Sequence, residues 1–315
     1  MRVLVTGASG FVGRHLCRAL VAGGHGVVAA LRGDLAELPD GVTPVAVGDI
    51  GPETAWRAAL DGVDAVAHLA GRAHVMRDAA DAEARYVRTN VEGTRRLAEE
   101  AVGTGVRRFV FLSSVKAVGE RTADAPFTPD AEARPEDAYG RTKLDAEAAL
   151  RLAAEGTGTE AVIIRPPLVY GPGVKGNLLT LLSAVAGGRP LPLGAVDNRR
   201  SFVYVENLCD AVARAVAAPA AAGTYFVRDG DDVSTAELIR RMAAALGRPP
   251  RLFPVPVGVL RLVSRITGKS ASVQRVSDSL QVDDTSFRAD FDWRPPFTMN
   301  EGLERTAAWY KSRSE

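Results

Sequence analysis

Cysteine is scarce in this 315-residue chain: there are two, Cys17 and Cys209. They cannot build a disulfide framework and stand in no metal-ligand spacing, which fits a reducing cytoplasm and small apolar packing roles. The four histidines, His15, His25, His68 and His74, show no metal spacing either, and no Gly-x-Ser-x-Gly elbow occurs. Metal hydrolase and serine-triad chemistry therefore have no supporting constellation. No stretch approaches the ~20 unbroken apolar residues of a membrane span, and the opening run Arg2–Thr6 reaches glycine too soon for a signal-peptide core. Neither charge sign dominates: 39 Lys+Arg against 38 Asp+Glu leave +1, so no global field draws the chain to nucleic acid or to an anionic membrane. We expect neither partner, and any anionic ligand must be held locally. Polar low-complexity tracts and repeats of 20–50 residues are also missing.

What is present is an ordinary globular composition, 46% hydrophobic and 24% charged, at a length that suits one large domain or a domain with an appended lobe. Short β-branched or apolar runs at 2–6, 27–31, 45–47, 63–69, 108–113 and 161–165 read as strands. Helical patterns separate most of them, the longest from about Ala79 to Val102, and another runs from Ala138 to about Ala154. Such alternation predicts an α/β fold, a doubly wound parallel sheet with helices on both faces. Beyond residue 166 proline and glycine cluster, and short helices are expected near 178–186, 206–217, 235–246 and 300–312. The expected division is a dinucleotide-binding domain over 1–167, rejoined by about 201–228, and a smaller C-terminal substrate-binding lobe over 168–200 and 229–315.

The first chemical motif is Gly7-Ala8-Ser9-Gly10-Phe11-Val12-Gly13, a G-x-x-G-x-x-G turn between the first strand and the first helix. Positions without side chains let the backbone approach a pyrophosphate, and the helix N-terminus offers unpaired N–H groups with a positive dipole end. After the second strand, where an NAD site usually carries an acid, the chain reads Ala30-Leu31-Arg32-Gly33. Arg32 could face a 2′-phosphate, which would favour NADP, or be a solvated arginine. Asp49-Ile50 after the third strand could hold the adenine edge, or simply open a turn.

The sharpest signal is the single Tyr-x-x-x-Lys of the chain, Tyr139-Gly140-Arg141-Thr142-Lys143. Residues i and i+4 share a helix face, so Lys143 is placed to lower the phenol pKa of Tyr139 and make it an acid/base. Ser113-Ser114 closes the fifth strand, at the edge where a parallel sheet presents its ligand crevice. Ser114 there can hydrogen-bond an oxygen that alternates between hydroxyl and ketone.

Taken together these residues resemble the extended short-chain dehydrogenase/reductases, particularly nucleotide-sugar epimerases, reductases and dehydratases. The likeness spans nearly the whole chain and includes His68-Leu69-Ala70-Gly71, Asn90 in Thr89-Asn90-Val91-Glu92-Gly93-Thr94, Arg165-Pro166-Pro167 and Arg200-Ser201-Phe202-Val203-Tyr204-Val205. It implies a Rossmann domain with a small substrate lobe and hydride transfer between sugar C4 and a nicotinamide, with Tyr139 moving the hydroxyl proton. Lys143 would also bind the nicotinamide ribose, with Leu69, Ala70, Gly71, Asn90, Ser113 and Pro166 as further cofactor contacts. Asn177 and Arg200 would contact the nucleotide-sugar pyrophosphate; the plain alternative is a loop asparagine and a surface arginine.

The departures narrow this picture. The sugar 4,6-dehydratases follow the catalytic hydroxyl with an Asp-Glu pair that here is Val115-Lys116, which argues against dehydration. Residues 113–120 together with 72–78 resemble a bacterial subgroup holding proteins described as UDP-glucose 4-epimerases and as reductases of UDP-4-keto-6-deoxy-N-acetylhexosamines. In that subgroup's pattern Lys116, His74 and Arg77 lie at the mouth of the site; otherwise His74 and Arg77 decorate a solvated loop. Three functions follow: a UDP-sugar 4-epimerase that recycles NAD, an NADPH-dependent 4-keto reductase, and, remotely, a dinucleotide sensor without chemistry. The resemblance also suggests a homodimer through the helices near 79–102 and 136–154.

Overall fold

The computed structural model describes residues 1–33, 38–72, 82–218, 222–268 and 270–313. A strand β1 (Arg2–Thr6) leads into α1 (Phe11–Ala22), then β2 (Gly26–Leu31), β3 (Val42–Ala46) and β4 (Ala65–His68). A helical run follows: α2 (Ala82–Tyr86), a wider π-helical stretch over Val87–Glu92, and α3 (Gly93–Gly103). Next come β5 (Arg108–Leu112), a short turn of 3₁₀-helix at Val115–Ala117, α4 (Ala138–Ala154) and β6 (Glu160–Arg165). The remainder comprises β7 (Leu168–Tyr170), α5 (Gly176–Ala186), β8 (Phe202–Tyr204), α6 (Val205–Ala217), β9 (Gly223–Phe226), α7 (Thr235–Leu246), α8 (Val257–Ile266), α9 (Ser270–Ser277), α10 (Thr285–Phe291) and α11 (Met299–Ser312).

Seven strands form one parallel sheet in the order β3-β2-β1-β4-β5-β6-β9, and β7 pairs with β8 in a separate parallel ribbon. This is the expected doubly wound Rossmann sheet, with β1 centrally placed at the reversal of strand order. Pro44 is tolerated in β3 because that strand is an edge and pairs only with β2. Alternate residues feed opposite faces. Val3 and Val5 join Leu16, Leu20, Leu208 and Val212 on one side, while Leu4 joins Trp56, Leu97, Ala101 and Leu150 on the other. The first of these clusters runs on without a break into Leu238, Ile239 and Met242 of α7 and Leu303 of α11. The C-terminal elements thus share the sheet's core rather than owning a separate one. Helices α8, α9 and α10 fall where no helix was expected, α8 starting at the end of the Pro/Gly cluster at 248–258.

Cys17 and Cys209 are buried and free, and burial raises the Cys17 thiol to about 11. Among the described residues no group of His, Cys, Asp and Glu could hold a metal ion, and no helix is long and apolar enough to cross a membrane.

Candidate active site

Three glycines explain the first turn. Gly7 has φ +68°, and a Cβ there would lie 2.9 Å from the Ala70 nitrogen. A Cβ on Gly13 would lie 2.1 Å from the Gly7 carbonyl oxygen, so α1 rests directly on the loop. Gly10 caps α1 with no side-chain acceptor, and the first turn carries no acid. Its N–H groups and dipole are therefore available to an anion. Ser9 and Gly10 are exposed along this turn, Phe11 and Val12 half-buried. The cradle has the shape and polarity that a dinucleotide pyrophosphate requires, and the residues present fit that group.

Around this cradle the expected cofactor residues converge. Leu69, Ala70 and Gly71 continue β4, and the Ala70 N–H donates to Thr6 Oγ1 at 3.0 Å. A Cβ on Gly71 would stand 3.3 Å from Lys143 Nζ and 3.4 Å from Asn90 Oδ1, so Gly71, Lys143 and Asn90 meet. Arg32 and Asp49 are 84% and 90% exposed at the ends of β2 and β3, with Arg32 Nη1 3.9 Å from Asp49 Oδ1. The fold thus brings a carboxylate from the neighbouring strand to the rim where β2 itself offers none. Ile50 packs so close to Gly93 that a Cβ there would lie 2.6 Å from it. Pro166 is buried, and its carbonyl accepts from the Val115 N–H at 3.0 Å, which places it beside the Ser114 turn.

Tyr139, Lys143 and Glu147 occupy one face of α4 at successive turns. The Ser114 hydroxyl hydrogen-bonds the Tyr139 phenol. Lys143 Nζ donates to the Leu112 carbonyl at 2.8 Å and stands 4.3 Å above the Phe111 ring. The expectation that Lys143 lowers the Tyr139 pKa is not met. Burial pushes the phenol up to about 12, the Ser114 hydrogen bond opposes that rise, and Asp137 and Tyr86 add to it. Burial likewise lowers Lys143 to about 8 against the pull of Glu147.

Lys116 is tied into two ion pairs at the start of the Tyr139 helix. Its ammonium donates to Glu120 at 2.8 Å and to Asp137 at 2.7 Å, and Asp137 in turn accepts from the Gly140 N–H at the start of α4. Burial depresses the Lys116 pKa, but these two carboxylates outweigh it and leave the ammonium raised. Lys116 thereby fixes the N-terminus of the Tyr139 helix. Arg200 is buried rather than on the surface; it donates to the Asp278 carbonyl at 2.8 Å, and burial lowers it to about 10. Asn177 is exposed in the first turn of α5. His74 and Arg77 lie outside the described residues.

Thr94, Thr142 and Glu147 help to build the site and escaped the sequence reading, whereas Asn90 and Ser113 were expected as cofactor contacts. A buried chain of hydrogen bonds runs from the glycine turn to the Tyr139 helix. Thr94 donates to the Asn90 carbonyl, so it accepts from His68 Nε2 at 2.9 Å. That leaves His68 Nδ1 to accept from Thr6 at 2.6 Å, which fixes a neutral imidazole. Burial lowers His68 to about 3, with Lys143 adding to the effect. Asn90 then donates to Thr142 at 3.1 Å, and Thr142 donates to the Tyr139 carbonyl. Beneath Lys143, Glu147 takes Arg165 in a two-pronged pair at 2.9 and 2.6 Å and accepts from Ser113 at 2.5 Å. The four-residue spacing of Tyr139, Lys143 and Glu147 was the available signal for the last of these.

A glycine cradle at β1, a Tyr/Lys pair with a serine at the ends of the central strands, and a parallel sheet of this order define a dinucleotide-binding oxidoreductase-type site. The family model described as NAD dependent epimerase/dehydratase family matches residues 3–227. The chain belongs to that family and is an NAD-dependent enzyme. It is 40% identical over 309 residues to a UDP-glucose 4-epimerase of Vibrio cholerae, covering 97% of this chain and 94% of the relative. Over 322 residues it is 31% identical to an N-acetyl-alpha-D-glucosaminyl-diphospho-ditrans,octacis-undecaprenol 4-epimerase of Escherichia coli O157:H7, with 96% and 93% covered. Among solved structures, MoeE5 in complex with UDP-glucose and NAD superposes with a TM-score of 0.80 at 28% identity over all of both chains.

Proposed function

We propose that the protein is a nucleotide-sugar 4-epimerase acting on a UDP-hexose or UDP-N-acetylhexosamine. The observation that carries this reading is the convergence of Ser114, Tyr139 and Lys143 beside Gly71, across the strand ends from the glycine cradle. Relatives named as 4-epimerases support it. Gly7, Ser9, Gly10, Phe11, Val12 and Gly13 would hold the NAD pyrophosphate, and Arg32, Asp49 and Ile50 the adenosine end. Leu69, Ala70, Gly71, Asn90, Ser113 and Pro166 complete that site. NAD held there would supply the two-electron acceptor and donor for the C4 hydride. Ser114 orients the C4 oxygen and Tyr139 Oη takes and returns its proton, while Lys143 holds positive charge beneath that atom. Arg200 and Asn177 bind the diphosphate. The elements at 168–200 and 229–313 form the sugar-binding lobe, and the working form is a cytoplasmic homodimer through the exposed sides of α3 and α4, where Leu152 stands open to solvent.

The test is to incubate the protein with UDP-glucose or UDP-N-acetylglucosamine and follow the C4 epimer by NMR. Mass spectrometry of the dinucleotide released on denaturation accompanies it. Interconversion without added reductant, lost in Tyr139→Phe while dinucleotide binding persists, is the expected result. A second reading, a 4-keto reductase, is favoured by the exposed Arg32 at the end of β2. An empty site that prefers NADPH, with no epimer formed, would establish it instead.

A further inference from the structure

Helix α8 is amphipathic with its apolar face outward. Val259, Leu262, Val263 and Ile266 recur at i, i+3, i+4 and i+7, so they form one stripe, and they are 48, 59, 51 and 79% exposed. Phe253, just ahead of the helix, is also exposed, while the one buried residue of α8 is Ser264. A row of four aliphatic side chains in water on one helix is not the scatter of single apolar residues that ordinary surfaces show.

The charge around this stripe is of one sign. From residue 248 to 277 the chain carries Arg248, Arg251, Arg261, Arg265, Lys269 and Arg275 and no Asp or Glu. Arg261 pairs with Asp278 at 2.8 Å, whereas Arg248, Arg251, Arg265 and Arg275 make no ion pair among the described residues. A block of six cations sits in a chain whose total is +1, so the remainder of the chain is net acidic. An anionic surface would attract this block and repel the rest, which orients the molecule with α8 towards it.

We propose that α8 is a peripheral docking element that lies in the interface of an anionic lipid bilayer, with the Val259-Leu262-Val263-Ile266 stripe among the acyl chains. The unpaired arginines meet the lipid phosphates. Exposed aliphatics beside clustered basic residues on a helix too short to span are the signature of an in-plane element. A second copy of the chain is a poorer occupant, because a two-fold contact through this face sets the same cations against one another. The proposal departs from the expectation of no membrane partner, which rested on the balanced net charge and on the lack of a membrane-spanning stretch, neither of which bears on an in-plane helix. It does not depend on the epimerase reading, since binding is read without substrate. It has a bearing on the site nonetheless. Asp278, one residue beyond α9, accepts from Arg200 through its carbonyl and from Arg261 through its carboxylate, so the docking hairpin adjoins the proposed diphosphate site.

Sedimentation of the full chain with vesicles of phosphatidylglycerol and phosphatidylethanolamine, against phosphatidylcholine vesicles, tests this. Each cation at an anionic leaflet is worth about a fivefold gain in partition, so binding to the anionic vesicles should be at least about tenfold tighter and should weaken with salt. The double variant Leu262→Ser, Ile266→Ser should lose at least about tenfold in partition. Arg265→Glu with Arg275→Glu should lose a similar factor. Circular dichroism and bound dinucleotide should be unchanged in all of them, because these side chains already face water. Equal binding by wild type and variants, or no binding to either vesicle, overturns the proposal. So does a change from dimer to monomer on Leu262→Ser, Ile266→Ser, which would make the stripe a contact between copies.

Discussion

Lys143 offers a direct conflict between stability and function. In water a lysine keeps its proton to 10.5, but burial among Phe111, Leu112 and α4 lowers Lys143 to about 8. Below pH 8 the fold therefore carries a buried charge at a cost of about 3 kcal/mol, at 1.36 kcal/mol per pH unit. Between about 8 and 10.5 the unfolded chain binds more protons than the native one, so stability rises with pH in that window and the penalty is gone above it. Lys143→Met removes the charge and also the hydrogen bond to Leu112 and the contact over Phe111, together worth about 1 kcal/mol. The variant should gain about 2 kcal/mol at pH 7, or about 3 °C in Tm for a chain of this size. That advantage should shrink through pH 8 to 9.5 and change sign just below about pH 10, while turnover falls by about 10²–10⁴-fold. Urea unfolding of dinucleotide-free protein at pH 7, 8, 9 and 10.5 measures it, because bound ligand would add its own stabilisation. A variant less stable at pH 7, or a gain independent of pH, would refute the reasoning.

Glu147→Gln leaves the Arg165 guanidinium buried without its counter-charge and should cost about 3 kcal/mol in urea unfolding; a loss under 1 kcal/mol would show that the pair adds little. Gly13→Ala places a methyl 2.1 Å from the Gly7 oxygen, so the turn must open, and the dinucleotide retained on purification should drop at least about tenfold. Retention at the wild-type level would remove the turn from the cofactor site. Thr94→Val strips the acceptor from His68 Nε2–H and should cost about 1–3 kcal/mol, read as a lower thermal midpoint. An unchanged midpoint would mean that His68 has rotated to another partner.

Strands β1, β2, β4, β5 and β6 of the parallel sheet were legible because they are largely buried and so read as apolar runs between helical patterns. Helices α4 and α7 also fall where their periodicity places them. Helix α8 was missed for the opposite reason: its aliphatic face is turned to solvent, and the prolines at 249, 250, 254 and 256 made the segment look like a loop. Tyr139, Lys143 and Ser114 could be found because one spacing rule and one topological rule name their positions. Arg200 could not be placed, since it is held by the Asp278 carbonyl from a segment 78 residues away. The role of Lys116 was hidden in the same way, because Asp137 stands 21 residues along and meets it only once α4 is docked.

The same contrast explains why the neutral polar groups of the site were harder to see than the charged ones. Thr6, His68, Thr94, Asn90 and Thr142 come from five separate elements, and each side chain serves another's unsatisfied donor or acceptor. Any one alone is an ordinary buried threonine, asparagine or histidine. Joined, they tie the turn after β4 to the helix that carries Tyr139 without placing a charge inside the protein. His68 can serve there only as a neutral group, and burial beside Lys143 ensures that by holding it at about 3. Protonation of His68 would turn its acceptor nitrogen into a second donor and leave the Thr6 hydroxyl without its acceptor. The link is therefore indifferent to pH across the whole range in which Lys143 itself titrates, and the positions of Tyr139 and Gly71 stay fixed while the charge between them changes.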